Sequence, residues 1–471
     1  MKNINVLLLL LLFTVTAKAQ SVTGTWYGLL KFPGVNINLV YHIEKNGELY
    51  TATMDSPDQG AKGLPVENTK FSNQELVLEA PKFRMEFTGK FDPENNQITG
   101  NFKQGTVTQP LVLTRTKPGS QEVEKVAVRP QDPTSFPYKS EEVTFINSKA
   151  GNSLAGTLTM PSSGKFTKIV VLITGSGPQN RNEEMKQFNH RPFLVLSDWL
   201  TRQGIAVLRY DDRGVGKSTG IFTQATTADF ADDAEAAVTY IKTRADLKNL
   251  AVGLIGHSEG GMIAPIVASR NAAVKFIVSL AGPGIPISEL MTQQITDQLR
   301  LVGAPADVIA RTSATNQKVY ALMKQNAGLP AQELNEKVST LLSEEFSKYP
   351  PEALSGANID DLVKQTMSSI KGPWFHYFIN FNPADYLTKV KCPVLAINGT
   401  LDSQVECDQN LNGIKNSLNK AKNKNFQIVP LPGLNHLLQK AVTGSAQEYV
   451  AIKETINPVA LEKTSTWINS L

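Results

Sequence analysis

The chain has 471 residues, of which 41% are hydrophobic and 19% charged, and its formal net charge is +4. That length allows two to four folding units at about 100–200 residues each, and the balance of apolar and charged residues excludes a disordered chain. So mild a positive excess, with no basic run of five or more residues, gives no ground for a nucleic-acid partner.

The opening segment, MKNINVLLLLLLFTVTAKAQ, reads as an export signal. Lys2 precedes an apolar run from Val6 to Phe13, and Ala17-Lys18-Ala19 supplies a small-residue cleavage site. The run is far shorter than the roughly 20 apolar residues that span a bilayer. Residues 1–19 are therefore expected to be removed, leaving a periplasmic or secreted protein with no membrane span.

Residues 21–116 carry short runs rich in aromatic and β-branched residues: GTWYGLL, LVYHIE, LYTATMD, LVLEA, RMEFTGKF and QPLVLTRT. Turn residues separate them, as in Lys45-Asn46-Gly47 and Asp92-Pro93-Glu94-Asn95. The expectation is a small all-β domain, a sandwich or a barrel, acting as scaffold or contact surface. It holds one histidine, His42, and no catalytic cluster. Residues 117–138 carry four prolines and little apolar periodicity, and read as a linker.

From residue 139 the pattern changes. EEVTFI and SLAGTLTM suggest an antiparallel pair, and KIVVLITG is a continuous apolar run of the buried parallel type. Helical and strand patterns then alternate through PFLVLSDWLTRQG, IAVLRY, ADFADDAEAAVTYIKTR, AVGLIG, GGMIAPIVASR and FIVSLAG. That rhythm predicts an α/β class domain, a doubly wound, mostly parallel sheet with helices on both faces. Residues 284–375 interrupt it with helical patterns alone, as a cap inserted over the sheet's C-terminal edge, where ligands bind in such sheets. The rhythm resumes with CPVLAING and FQIVPLPG and ends on VALEKTSTWINSL. The two cysteines, Cys392 and Cys407, could pair in an oxidising compartment or remain thiols; their spacing matches no metal site.

The string GVGKST at Gly214–Thr219 suggests a phosphate-binding loop. Such a loop needs its first glycine at position 211, which is Asp211, followed by Asp212. Two carboxylates there would repel phosphate, so the string is expected to be a structural loop. Asp212 and Arg213 are expected to pair with each other and brace the neighbouring loops.

The chemistry concentrates elsewhere. Gly256-His257-Ser258-Glu259-Gly260 follows a strand pattern and opens a helix, the strand-turn-helix context of a nucleophilic serine. Of the five histidines, His42 lies in the β domain, His190 precedes the serine, His257 sits within the turn and His376 ends the cap. His436, in PGLNH after FQIVPL, is the one downstream of Ser258 at a sheet edge, so it is the candidate base. Asp402, after VLAING, is the candidate partner of that base; Glu406 and Asp408 fall where a helix begins and suit its N-terminus better. The oxyanion donors are expected to be the N–H of Glu259 and that of Ser176 in Thr174-Gly175-Ser176-Gly177, with Gly177 as the alternative. Met291, Leu299, Leu301, Val319, Leu322 and Met323 could wall an acyl pocket, though their helical spacing also suits the cap's own core. Arg181, Glu183 and Glu184 are the charged residues that could anchor a peptide terminus.

Taken in order, ITGSGPQ, LRYDDRGVGKSTG, LIGHSEGG, LAINGTLDSQV and PGLNH resemble the α/β-hydrolase superfamily. Within it the likeness is to secreted bacterial esterase-like members near the serine aminopeptidase and acyl-peptidase hydrolases. It covers residues 139–471 apart from a less specific cap, and the β domain has no part in it. It implies a serine hydrolase that works through an acyl-enzyme on a small-molecule ester or a short acyl or peptide substrate, without a cofactor or metal. An aminopeptidase or acyl-peptidase is the alternative, and a non-catalytic protein holding glycan or peptide on its β domain is a third reading. Oligomeric state and acyl specificity are left open.

Overall fold

The computed structural model describes residues 21–32, 35–59, 61–104, 107–116, 129–350, 354 and 358–471. The expected signal segment 1–19 and residues 117–128 of the expected linker lie outside them. The chain divides into two compact units on either side of residue 124.

The first unit is one antiparallel sheet of nine strands: β1 Gly24–Phe32, β2 Val35–Asn46, β3 Leu49–Ser56, β4 Ala61–Val66, β5 Asn68–Ser72, β6 Glu75–Ala80, β7 Met85–Asp92, β8 Gln97–Gln104 and β9 Val107–Thr114. Their order is β4-β3-β2-β1-β9-β8-β7-β6-β5. Successive hairpins build each half, and β1 joins β9 through Tyr27–Thr114 and Gly28–Leu113. The sheet curls until β3 packs on β5 and β4 on β6. Alternate residues face inward, as strand periodicity requires. Trp26, Tyr41, Leu76, Leu78, Phe87 and Ile98 fill the interior. The sequence runs miss β4, β5 and β8, because AKGLPV, NTKFS and QITGNFKQ lack a sustained apolar alternation.

The second unit is an eight-stranded sheet in the order β10-β11-β13-β12-β14-β15-β16-β17. Its strands are β10 Lys139–Ile146, β11 Ser153–Met160, β12 Lys168–Ile173, β13 Ala206–Tyr210, β14 Ala251–His257, β15 Val274–Leu280, β16 Val394–Gly399 and β17 Phe426–Leu431. The β10–β11 and β11–β13 pairs are antiparallel and the others parallel. Alternating side chains divide between two cores. Ile169, Val171 and Ile173 of β12 face helices α2 (Thr227–Thr243) and α3 (Gly260–Arg270). Val170 and Leu172 face α1 (Pro192–Arg202) and the C-terminal helix Pro458–Ser470. This two-sided burial is why the strands read as unbroken apolar runs.

After β12 the chain crosses to β13 on one side, then returns to place β14 on the other. The loops following β12 and β14 therefore meet at the point where the winding reverses, where a crevice opens at the C-terminal strand ends. Between β15 and β16 the chain inserts helices, among them α4 Ile287–Leu301, α5 Ala306–Gln325, α6 Ala331–Ser347, α7 Ile359–Ile370 and α8 Pro373–Ile379.

Residues 129–138, expected as linker, are anchored within this unit. Arg129 is buried and donates to the carbonyls of Phe188, Tyr449, Ile452 and Glu454, and the Tyr138 hydroxyl donates to Asp198. Proline content signalled the absence of helix and strand, but these are tertiary contacts that composition does not carry. Cys392 and Cys407 are both free thiols.

Candidate active site

The turn after β14 is built on close backbone approach. Ser258 takes φ of +53°, unusual for a residue with a side chain, and its N–H is held by the Leu280 carbonyl at 2.9 Å. Only glycine fits on either side. A Cβ on Gly256 would lie 1.9 Å from the Gly260 carbonyl oxygen, and one on Gly260 would lie 2.2 Å from that of Ile173. The turn thus presents the Ser258 hydroxyl at the sheet's edge, a strained placement of the kind that concentrates at functional sites.

Two more strand ends bring its partners. His436 Nε2 lies 3.1 Å from Ser258 Oγ, and His436 Nδ1 lies 2.8 Å from Asp402 Oδ2. The other oxygen of Asp402 accepts the N–H groups of Gln404 and Val405, each at 2.8 Å. The loops after β16 and β17 are laced together: Leu401 N–H donates to the Leu434 carbonyl and Thr400 N–H to that of Leu431. Glu406 caps the following helix, Cys407–Lys420, accepting from the N–H groups of Asp408 and Gln409, as its sequence position suggests. Of the other histidines, His190 and His257 are buried, His376 Nε2 donates to Asn335 Oδ1 in the cap, and His42 meets Asp55 in the β unit.

The loop after β12 closes the other side. Gly175 N–H is taken by Glu183 Oε1 at 2.7 Å. The N–H groups of Ser176, Gly177 and Glu259 meet no protein acceptor among the described residues. Ser176 and Glu259 line the cavity beside Ser258, and Gly177 does not.

That cavity, of about 560 Å³, runs from Ser258 and His436 up into the cap. Leu290, Met291, Ile295, Tyr320, Trp374 and Phe378 form its apolar wall. Of the cap residues singled out in the sequence only Met291 is among its lining. Val319 and Met323 are buried in the cap's own core and Leu301 is exposed, because the helix faces turned toward one another exclude them from the site.

The charges around the site are arranged differently from expectation. Asp212 and Arg213 do not pair. Asp212 accepts from Thr174 Oγ1 and Gln179 N–H, each at 2.9 Å, while Arg213 Nε donates to Asp233 on α2 at 2.6 Å. Successive side chains of the turn point to opposite sides, one toward the loop after β12 and one toward α2. Burial drives the Asp212 carboxyl well above the ordinary range, against the pull of its hydrogen bonds. Arg181, Glu183 and Glu184 are not free to anchor a peptide. Asp211 and Glu142 hold Arg181, Asn180 and Arg191 engage Glu184, and Glu183 is 3% exposed beneath the loop.

Two side chains not picked out for contacts of their own shape the site. Glu259 is 2% exposed and its carboxyl accepts from Thr227 Oγ1 at 2.7 Å and from the cap's Trp374 Nε1 at 2.9 Å. Burial raises its pKa, against the pull of its hydrogen bonds. His257 meets Glu183 Oε1 at 2.9 Å through Nδ1 and the His436 carbonyl at 3.0 Å through Nε2. Their identities stand in the GHSE string, but their partners are some 30 to 180 residues away in sequence.

Residues 190–440 match the model of the family described as serine aminopeptidase, S33. The chain belongs to that family. It is a hydrolase with the α/β-hydrolase fold, preceded by an all-β unit. Among curated proteins it is 25% identical to the esterase EstD of Thermotoga maritima over 401 residues, 85% of this chain and 82% of that one. That match is longer than residues 139–471, so the likeness is not confined to the hydrolase unit as the motifs alone suggest. A 125-residue stretch, 26% of the chain, is 30% identical to the Escherichia coli protein YfhR, of which it covers 40%. Among solved structures, a Pyrococcus furiosus esterase aligns at 18% identity over 71% of this chain and 90% of its own, with a TM-score of 0.41. The esterase Est1E of Butyrivibrio proteoclasticus, with ferulic acid bound, aligns at 19% identity over 70% and 98%, with a TM-score of 0.40.

Proposed function

We propose that the protein is a serine hydrolase that cleaves carboxylic esters of small to medium acyl groups, with Ser258 as nucleophile, His436 as base and Asp402 as its orienting acid. The observation that carries this reading is the continuous Ser258–His436–Asp402 hydrogen-bonded relay opening onto an apolar cavity. A volume of about 560 Å³ lies within the roughly 300–1,000 Å³ of small-molecule sites.

In the proposed reaction His436 Nε2 takes the hydroxyl proton as Ser258 Oγ attacks the ester carbonyl. The N–H groups of Ser176 and Glu259 receive the developing oxyanion, a contribution of about 10²–10³ in rate per donor in comparable enzymes. His436 returns the proton to the alkoxide as it leaves, and the acyl group stays on Ser258. Water then attacks the acyl-enzyme, giving a proton to His436 and releasing the acid as Ser258 regains its hydroxyl. Asp402 holds Nδ1–H throughout, so Nε2 is the nitrogen free to accept.

The aminopeptidase reading needs an ionised acid to receive a substrate ammonium. Among the described residues the acidic side chains lining the cavity are Glu183 and Glu259, both almost fully buried; Glu259 accepts from Thr227 and Trp374, and Glu183 Oε1 is engaged by Gly175 N–H and His257. That supports neutral esters over peptides with a free N-terminus. The test pairs aryl esters with aminoacyl anilides, using wild type and Ser258→Ala. Ester turnover lost in Ser258→Ala and absent on anilides supports the reading; equal ester turnover by the two proteins overturns it.

A further inference from the structure

His257 is buried directly behind the relay, and both of its ring nitrogens face oxygens. Nδ1 lies 2.9 Å from Glu183 Oε1 and Nε2 lies 3.0 Å from the main-chain oxygen of His436. A carbonyl oxygen can only accept, and an ionised carboxylate can only accept. Both contacts are therefore satisfied at once when the ring carries two protons and Glu183 none. Glu183 Oε1 also takes the Gly175 N–H at 2.7 Å, while its Oε2 is buried with no partner among the described residues. So little hydrogen bonding would leave a lone buried carboxylate poorly compensated, and the imidazolium beside it supplies the balance. Glu183 holds this position at φ of +51°, a backbone conformation that a glutamate adopts only when its surroundings compel it.

We propose that Glu183 and His257 are positioning residues for the hydrolytic step, a buried ion pair that ties the loop carrying the oxyanion donor Ser176 to the loop carrying the base His436. The pair links those loops through the turn after β14: one end grips Gly175, next to Ser176, and the other grips the His436 main chain, while further along the same loops Gln439 Nε2 lies 3.5 Å from His190 Nδ1. The pair sets the separation between the oxyanion donors and Nε2, the distance on which both half-reactions depend. The inference rests on the serine-hydrolase reading above.

The charged and titratable groups around His257 are Glu183 on the β12 loop, His436 and Asp402 on the loops after β17 and β16, and His190 with Arg129 and Arg191 further out. Burial opposes the imidazolium, but Glu183, the His436 carbonyl and Asp402 outweigh it and lift His257 to about 9. Its loss of a proton should therefore appear as an alkaline limb in kcat.

The experiment measures kcat, KM and the pH profile of aryl-ester hydrolysis for wild type, Glu183→Gln, Glu183→Ala and His257→Gln, with Ser258→Ala as control and circular dichroism to verify folding. A displacement of about 1 Å in such a geometry costs on the order of 10²-fold in rate. Glu183→Ala and His257→Gln are expected to lose about that in kcat, with KM changed by less than about threefold. Glu183→Gln keeps the shape and removes the charge, so its alkaline limb should move at least about one pH unit toward neutrality, because burial at His257 is then opposed only by the His436 carbonyl and Asp402. A merely structural role would not move that limb. If Glu183→Ala fails to fold, the limb of Glu183→Gln decides. Folded variants with wild-type kcat and an unmoved limb overturn the inference, while an active Ser258→Ala would instead overturn the hydrolase reading itself.

Discussion

Replacing Asp402 by asparagine exchanges one carboxylate oxygen for an NH2 group and tests the relay at its most constrained point. Asp402 Oδ1 is fixed by two main-chain donors, Gln404 and Val405, each at 2.8 Å. In Asp402→Asn the amide oxygen must occupy that position, because an NH2 group there would face two N–H groups. The NH2 group then falls 2.8 Å from His436 Nδ1, where it can only donate. His436 is forced to accept at Nδ1 and carry its proton on Nε2, which points at Ser258 Oγ from 3.1 Å. That tautomer cannot take the serine proton. The corresponding change in a serine protease costs about 10⁴ in kcat, and four decades are roughly 5–6 kcal/mol of transition-state free energy. Stability should change little, since the backbone hydrogen bonds and the volume persist. The assay is kcat on an aryl ester at neutral pH, together with the rate of labelling by a fluorophosphonate, which depends on the same activated serine. A folded Asp402→Asn enzyme within about tenfold of wild type in both would refute this account of the relay.

Trp374→Ala removes both the cavity wall and the indole donor to Glu259; the ratio of kcat/KM for long over short acyl esters is expected to rise about threefold or more, read from an ester chain-length series, and an unchanged profile would mean that Trp374 does not bound the acyl pocket. Burial raises the Asp212 pKa well above the ordinary 3.8 in the fold, so between the unfolded and folded values the folded residue holds a proton that the unfolded one has lost. Unfolding then releases a proton, so this residue's contribution is fully present at low pH and is lost as pH rises through the folded value. In Asp212→Asn, which mimics the neutral acid, the fall in melting temperature between about pH 5 and about pH 8 should shrink, and a fall as large as in wild type would contradict the assignment. For export, we expect the mature chain recovered from the expressing bacterium to begin at Gln20; N-terminal sequencing that reads from Met1 in the exported fraction would exclude cleavage after Ala19.

The features legible in the sequence share one property: they are set by neighbours along the chain. An apolar run flanked by glycines makes a buried parallel strand wherever it lies, and GHSEGG after such a run must turn sharply because residues 256 and 260 tolerate no Cβ. The order Ser258, Asp402, His436 could be read by elimination, since five histidines leave few choices and strand ends are where side chains of distant segments converge. The weakly patterned strands β4, β5 and β8 escaped the same reading because their pairing is imposed by neighbouring strands and their own residues are largely polar.

What only the tertiary structure decided is which side chain meets which. Adjacent residues Asp212 and Arg213, one acidic and one basic, turn to different partners because the turn aims them at different layers. Arg181 and Glu183, both plausible on a solvated loop, are drawn inside to Asp211 and His257. GVGKST carries no local sign of its role; its position is fixed by Gly216, whose missing side chain leaves room for Asp211, and by Ser218, which bridges Asp211 and Ala155. Local backbone preference is written in a few consecutive residues, whereas the partner of a buried charge is chosen by the packing of strands and loops that may lie 100 residues apart.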